Sequence, residues 1–222
     1  MSSKVKIKKV AKNYHFRTFC DIIYTNKRAK NMENFFKIFK KTIKTERLEL
    51  RILEATKENA ELVWGVLKRQ NKQDFQYATM TDRILPESLE ETLTMMQNQA
   101  EWCKSNGVNW YVFYNDKLIG YQRLFYWENN KTIQCADVWL DREYWGNGFN
   151  QEIHRKIEEM AFEKLGANRI CRQCVKDNKE SFNSITKSGF HLDGINRQFF
   201  VMPDGTYADQ CLFSKLKSEY NK

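Results

Sequence analysis

The sequence predicts an α+β fold in a single domain, with a mixed, mostly antiparallel central sheet flanked by about four helices. Two observations carry this prediction. Between residues 45 and 216, short runs of alternating apolar and polar residues are bounded by turn residues, as β-strands are. Longer segments repeat apolar residues every three or four positions, as amphipathic helices do. The elements follow the order strand, two helices, three strands, helix, strand, helix and hairpin.

The first part of the domain is predicted to hold a strand and two helices. The strand is TERLELRIL. Thr56 has the hydroxyl of a helix N-cap, and the helix that follows it runs to about Leu67. Ser88 and Glu91 have the spacing of a capping box, in which each side chain bonds to the other residue's backbone N–H. The second helix therefore begins after Ser88 and extends to about Cys103.

The middle of the domain is predicted to be three antiparallel strands followed by a long helix. The strands are NWYVFY, KLIGYQRLFYW and TIQCADVWL, and the pairs Asn115-Asp116 and Asn129-Asn130 supply the turns. The helix covers roughly 149–165, with its apolar residues on one face. Gly166 has the residue type that ends helices.

The last part of the domain is predicted to hold a strand, a helix and a hairpin. The strand is NRICRQCV, and the helix opens at Asp177 or Asn178. The hairpin turns at Pro203-Asp204-Gly205, since all three residue types favour turns.

The positive charge of the chain is concentrated at its N-terminus. Residues 1–44 hold 13 Lys and Arg and two acids, whereas the remaining residues carry a small net negative charge. We therefore divide the chain into a basic N-terminal extension, 1–42, and a domain, 43–222. The extension is either an arm that binds nucleic acid or the ribosome, or a transit peptide. The alternatives are a solvated tail, or translation from an upstream start with Met32 as the first native residue.

Hydropathy and cysteine content suggest a soluble, cytoplasmic protein with no metal. No apolar run approaches the roughly 18–20 residues of a membrane span, and the start lacks the apolar run of a signal peptide. Six cysteines are too sparse for a disulfide scaffold in 222 residues. Cys171 and Cys174 have CxxC spacing, but they lie in a predicted strand, where residues three apart face opposite ways. Buried, reduced thiols are expected there, with a metal or redox role as the alternative.

Two closely spaced glycines precede the long helix. We call the segment Trp145–Asn150 the glycine corner. Glycine lets a backbone approach a bulky anion closely, and the first N–H groups of a helix lack intrahelical partners. A phosphate site is therefore one interpretation, and an ordinary strand–helix turn is the other. A dinucleotide fingerprint would need a third glycine at Gln151, and a P-loop would need Gly-Lys-Ser/Thr, which the chain lacks.

From Ile43 onward the chain resembles the GNAT superfamily of acetyl-CoA-dependent N-acetyltransferases, in particular the branch that acetylates the N-termini of ribosomal proteins. Five motifs carry the resemblance, in the right order over about 180 residues. They are TERLELR at 45–51, WGNGFN at 145–150, AFEKLG at 161–166, NKES at 178–181 with GF at 189–190, and DG at 193–194 with DGTYAD at 204–209.

The resemblance implies acetyl-CoA as co-substrate, a GNAT-like fold and a set of binding residues. Backbone amides of the glycine corner would hold the pyrophosphate, the strand at 134–140 would bond to the pantetheine arm, and a later helix start would face the same cofactor. The residues implied are Val138, Leu140, Trp145, Gly146, Asn147, Gly148, Phe149, Asn150 and Asn178.

Acetyl transfer to an amine needs a neutral amine, a polarised carbonyl and a proton for the leaving thiolate. Many relatives carry a glutamate where this chain has Cys135. Strand alternation places Asp137 on the same face as Cys135, so we nominate Asp137 as the base or amine-orienting group. Cys135 as a nucleophile is a weaker candidate, because no nearby residue in the sequence would lower its pKa. Ser181 matches a serine that protonates the thiolate in similar enzymes, and its alternative role is a helix-start hydroxyl.

Other polar and aromatic residues are weaker candidates. His15 lies in the extension, His154 on the charged face of the long helix and His191 in a strand, so none is a persuasive catalyst. The aromatic residues Trp139, Tyr144 and Trp145 are either core residues or the lining of an acceptor channel.

The favoured acceptor is a protein N-terminal α-amine, as on a ribosomal protein. A small amine such as a polyamine or an aminoglycoside is the first alternative, and an inactive acyl-CoA-binding module is the second. A nucleic-acid partner is expected only if the basic extension is native and functional, and no membrane partner is expected.

Overall fold

A computed structural model describes residues 30–70, 75, 77, 85–202 and 204–220. Its eight strands form one sheet, in the order β1-β2-β3-β4-β5-β6-β8-β7. The strands are β1 (Ile43–Lys44), β2 (Leu48–Arg51), β3 (Gly107–Tyr114), β4 (Lys117–Trp127), β5 (Thr132–Leu140), β6 (Arg169–Val175), β7 (His191–Val201) and β8 (Tyr207–Leu216). All neighbouring strands are antiparallel except β5 and β6, so the predicted α+β class with a mixed sheet is confirmed.

The described residues include five helices, one more than the sequence predicts. They are α1 (30–39), α2 (Lys57–Leu67), α3 (Leu89–Cys103), α4 (Phe149–Glu158, continued as a π-helix over Glu159–Leu165) and α5 (Lys179–Lys187). None of the helices in the described ranges is long and apolar enough to cross a membrane.

Helices α2 and α3 start where their caps predict. The Thr56 hydroxyl accepts the N–H of Asn59 at 3.2 Å, and the Ser88 hydroxyl accepts that of Glu91 at 3.1 Å. The Glu91 carboxylate differs from the expected capping box, because it accepts the N–H of Glu87 at 2.7 Å. In both helices a first-turn backbone N–H nevertheless has a hydrogen-bond acceptor within three residues. This explains why the local sequence predicts where the two helices begin.

Helix α1 packs into the core beside the sheet. Phe35 and Phe39 are fully buried, and the Phe35 ring stacks on Tyr126 with centroids 5.3 Å apart. The indole N–H of Trp110 donates to the Lys41 carbonyl oxygen at 3.0 Å. The predicted boundary after residue 42 therefore falls inside packed structure. Most of the proposed extension, residues 1–29, lies outside the described residues.

A β-bulge interrupts the pairing of β4 with β5. Gln122 pairs with Val138 and Leu124 with Cys135, so two residues of β5 lie opposite Arg123. The buried Gln122 amide donates to the carbonyl oxygens of Arg123 at 2.9 Å and Asp137 at 3.1 Å, which stabilises the irregular backbone.

The bulge reverses the alternation of side chains along β5. Cys135 packs in the core cluster that includes residues of α4, whereas Trp139 packs on the opposite face of the sheet, beside α2 and α3. Asp137 points to this second face and meets Arg123. The expectation that Cys135 and Asp137 share a face was wrong, because it assumed a regular strand.

Strands β5 and β6 separate after a short parallel contact. Residues Thr132, Ile133 and Gln134 pair with Arg169, Ile170 and Cys171, and no further pairs follow, although both strands continue. A cleft therefore opens in the sheet between residues 135–140 of β5 and the end of β6.

Candidate active site

A cavity of about 180 Å³ lies where β5 and β6 diverge. Helices α2 and α3, strands β3 to β6 and the start of α5 contribute to its lining. Most of the lining side chains are apolar or aromatic, and the polar ones include Asp137, Asn178, Ser181 and Gln99. The cavity thus brings together Asp137 of β5 with Asn178 and Ser181 at the start of α5, all three of which the sequence nominated.

The glycine corner has the backbone shape that an anion site needs. Gly146 and Gly148 have φ of 78° and 76°, a left-handed conformation that side-chain-bearing residues adopt at a cost. Gly148 is the N-cap of α4, and no side chain caps this helix start. Its first N–H groups therefore remain available to an anion, and the helix dipole favours negative charge there. We call the glycine corner and the uncapped start of α4 together the cradle. The cradle fits the pyrophosphate of coenzyme A.

Side chains within the glycine corner fix its shape. The Asn147 amide donates to the carbonyl oxygens of Tyr144 at 3.2 Å and Trp145 at 3.3 Å. The indole N–H of Trp145 donates to the Leu140 carbonyl oxygen at 2.7 Å, which ties the corner to the end of β5. Phe149 is buried in the core.

Asn150 turns its side chain away from the cradle. Its amide donates to the Ser184 hydroxyl of α5 at 3.0 Å, and its Oδ1 is buried without a partner. An asparagine at this position therefore leaves room in the cradle, because its side chain bonds across to the next helix.

One backbone edge of β5 is open along the cleft. Val138 and Leu140 pair with β4 on one side, and residues 135–140 have no strand partner on the other side among the described residues. Val138 is 37% exposed and lines the cavity. This open edge suits a ligand that bonds to backbone, as the resemblance implies for pantetheine.

Asp137 is a nearly buried carboxylate beside a buried cation. Its Oδ2 lies 3.3 Å from Nη1 of Arg123, and both residues are less than 10% exposed. Arg123 was missed in the sequence, since its pairing with Asp137 depends on the bulge and leaves no local signal.

Asn178 and Ser181 form the start of α5. The Asn178 Oδ1 accepts the N–H of Ser181 at 2.9 Å, so this side chain acts as the helix N-cap. Ser181 also hydrogen-bonds with Cys174, whose pKa is raised to about 11, chiefly by burial. The Ser181 hydroxyl therefore lies at the cavity beside a neutral thiol.

Cys135 lies in the core and outside the cavity lining. Burial raises the pKa of its thiol to about 12, and the nearby charge of Arg172 only partly opposes this. A thiol with so high a pKa is protonated at neutral pH and is a poor nucleophile.

The histidines and aromatic residues divide between core and surface. His154 is only 2% exposed, so its predicted place on a charged helix face was wrong. His191 is exposed on β7, and His15 lies outside the described residues. Trp139 lines the cavity, whereas Tyr144 packs near Tyr114 and Phe149. No cluster of three potential metal ligands occurs within the part of the chain that the structure describes.

Comparison with known proteins identifies the domain. The acetyltransferase (GNAT) domain family matches residues 47–191. YoaA, an uncharacterized N-acetyltransferase of Bacillus subtilis (strain 168), is 27% identical over 181 residues, which cover 79% of this chain and 96% of YoaA. The uncharacterized N-acetyltransferase p20 of Bacillus licheniformis is 26% identical over 184 residues, covering 81% and 98%.

Solved structures share the fold. The ribosomal L7/L12 α-N-protein acetyltransferase RimL, in complex with coenzyme A, superposes with a TM-score of 0.69 at 18% identity, over 79% of this chain and 98% of RimL. The ribosomal-protein-S5-alanine acetyltransferase of Vibrio fischeri gives a TM-score of 0.66 at 16% identity, over 82% and 99%. The microcin C7 self-immunity acetyltransferase MccE, in complex with acetyl-CoA and AMP, gives 0.67 at 21% identity, over 77% and 93%. The family match spans more than half of the chain and agrees with the cleft and the glycine corner, and the protein therefore belongs to the GNAT family of acetyl-CoA-dependent N-acetyltransferases.

Proposed function

We propose that this enzyme acetylates the N-terminal α-amine of a protein, with a ribosomal protein as the favoured acceptor. The observation that carries the proposal is the lining of the cavity, which has one carboxylate among its described residues, Asp137, already paired with Arg123. A polyamine or an aminoglycoside brings several positive charges, and several unpaired acids would be needed to bind them. A peptide terminus brings a single amine.

The rest of the lining suits a mostly apolar acceptor. Aliphatic residues of α2 and aromatic residues of the sheet surround Asp137, with Tyr121 and Trp139 rings 6.3 Å apart. In the sequence between α2 and α3, the three acids are outnumbered by four basic residues: the acids are Asp74, Asp82 and Glu87, and the basic residues are Lys68, Arg69, Lys72 and Arg83. Neither the cavity lining nor the segment between α2 and α3 supplies the excess of negative charge that a polycation would require.

An α-amine also needs the least help from the protein. Its pKa of about 7.8, against about 10.4 for a lysine, makes it neutral roughly 400 times more often at neutral pH. Acetyl-CoA supplies a thioester carbon that such an amine attacks directly. The Asp137 carboxylate orients the amine and accepts its proton, directly or through water. The Ser181 hydroxyl, beside the cleft, donates a proton to the departing sulfur.

Structural relatives are consistent with this acceptor. RimL and the Vibrio fischeri protein are described as acetyltransferases of ribosomal proteins. Because their identity to this chain is low, they support the proposal through the shared fold only. The cytoplasm is then the proposed compartment, since ribosomal proteins are made there.

A thiol-release assay with acetyl-CoA tests the acceptor. Peptides with a free N-terminus should be acetylated, whereas the same peptides with a blocked N-terminus and one free lysine should not. Spermidine and kanamycin serve as the competing acceptor classes. Turnover with either of them but not with free peptides would refute the proposal, as would no turnover with any acceptor when acetyl-CoA binding is measurable.

A further inference from the structure

The turn between β1 and β2 is joined to the first turn of α4 by a buried carboxylate. Glu152 is 5% exposed and accepts three hydrogen bonds from this turn. The donors are the Thr45 hydroxyl at 2.5 Å, the Arg47 backbone N–H at 2.8 Å and the Arg47 Nε at 2.7 Å. These contacts connect residues more than 100 positions apart, and they fix the turn against the helix start that follows the glycine corner.

The Arg47 guanidinium continues from Glu152 onto the glycine corner itself. Its Nη1 donates to the Asn147 carbonyl oxygen at 3.1 Å, and its plane lies over the Phe149 ring at 4.5 Å. Its Nη2 lies 3.8 Å from the position that a Cβ on Gly148 would occupy. Within the described residues, Nη2 has no hydrogen-bond partner, so one N–H edge beside the cradle is available to a ligand.

The charges around the cradle give Arg47 a second role, which is to offset the negative charge of Glu152. The sequence from Glu143 to His154 contains no Lys or Arg, and Arg142, just before the corner, lies over the Trp145 ring with its guanidinium carbon 5.6 Å from the ring centroid. Glu152 adds a negative charge to the first turn of α4, and this charge alone would repel a phosphate. Arg47 neutralises Glu152 and places the remaining donor next to Gly148.

We propose that Arg47 is a cofactor-positioning residue: it holds the glycine corner in its anion-binding shape and cancels the Glu152 charge, so that the corner binds the pyrophosphate of coenzyme A. This inference rests on the family's co-substrate and is independent of the acceptor. A failed acceptor assay would therefore leave it unaffected.

Arg47→Gln tests the proposal through binding. Calorimetry with coenzyme A should show affinity reduced about tenfold or more, because a charge-assisted contact is lost beside a phosphate site. Affinity for pantetheine, which lacks the phosphates, should stay unchanged in an NMR titration. The double variant Arg47→Gln/Glu152→Gln should recover part of the affinity for coenzyme A, since the uncancelled carboxylate is then removed.

Arg51→Gln is the matched control. Arg51 belongs to the same strand region, stacks over Phe113 at 4.3 Å and pairs with Glu49 and Asp116, away from the glycine corner. Its substitution should leave both affinities unchanged. Thermal unfolding checks that each variant is folded, and Arg47→Lys, which retains the charge, should lose less affinity than Arg47→Gln. Wild-type affinity of Arg47→Gln for coenzyme A would overturn the proposal, as would an equal loss of pantetheine binding.

Discussion

His154 is a buried, neutral imidazole in the core beneath α4. Burial lowers its pKa well below the ordinary value of 6.5, and the positive charges of Arg172 and Lys215 lower it further. Lys215 is itself paired with Glu158 at 2.9 Å. The helix face that looks charged in the sequence is therefore covered by the sheet. Because His154 is buried there, the free energy of unfolding of the protein should depend on pH.

The stability of the enzyme should fall as the pH drops below 6.5. The unfolded chain takes up a proton on His154 at a higher pH than the folded chain, so acid favours unfolding by up to about 1.4 kcal/mol per pH unit until the folded pKa is reached. Urea unfolding at pH 7 and pH 5.5 measures this loss. His154→Gln should reduce the loss, and equal pH profiles for the wild type and the variant would contradict the assignment.

At the scale of elements, the bulge in β5 decides which side chains face the cavity and which face the core. It turns Asp137 toward the cavity and leaves Cys135 in the core, and a regular strand would not separate the two. Gln122 stabilises this irregularity from within β4. The orientation of Asp137, the candidate base, therefore depends on the irregular pairing of β4 with β5.

Asp137→Asn should lower the rate of acetyl transfer by about a hundredfold, within the usual range for loss of a general base. Affinity for coenzyme A should remain as in the wild type, since Asp137 lies apart from the glycine corner. Steady-state rates combined with calorimetry separate these two effects. Asp116→Asn, in the exposed β3–β4 turn, is the control; full activity of Asp137→Asn would exclude Asp137 as the base.

At the scale of the whole molecule, helix α1 completes the hydrophobic core. It lies before the segment that matches the family, 47–191, yet two of its phenylalanines are fully buried. Its lysines, Lys30 and Lys37, are exposed on the surface. Helix α1 therefore belongs to the folded domain of this chain.

Phe39→Ala should destabilise the enzyme by about 3–5 kcal/mol, the usual cost of removing a buried aromatic ring. Denaturant unfolding at neutral pH measures this change. Lys37→Ala, two residues earlier on the exposed face, should change the free energy of unfolding by less than about 0.5 kcal/mol. A similar small effect for Phe39→Ala would show that α1 contributes little to the core.

Local signals in the sequence predicted the elements well, and long-range contacts account for what they missed. Thr56 and Asn115-Asp116 mark a helix start and a turn because their bonds lie within a few residues. The bulge depends on the register between two strands, and the Arg47–Glu152 pair joins distant segments. Neither leaves a periodic pattern. Helix α1 was readable from the spacing of Phe35 and Phe39, but the surrounding lysines suggested a tail.

The short contact between β5 and β6 has a consequence for how the enzyme responds to its co-substrate. Three residue pairs provide the main-chain bonding between the first five strands and the last three. A ligand whose arm bonds to the open edge of β5 would add bonding at the gap that the sheet leaves. Acetyl-CoA bound in this way should raise the free energy of unfolding of the enzyme, since a ligand that binds only the folded state stabilises it.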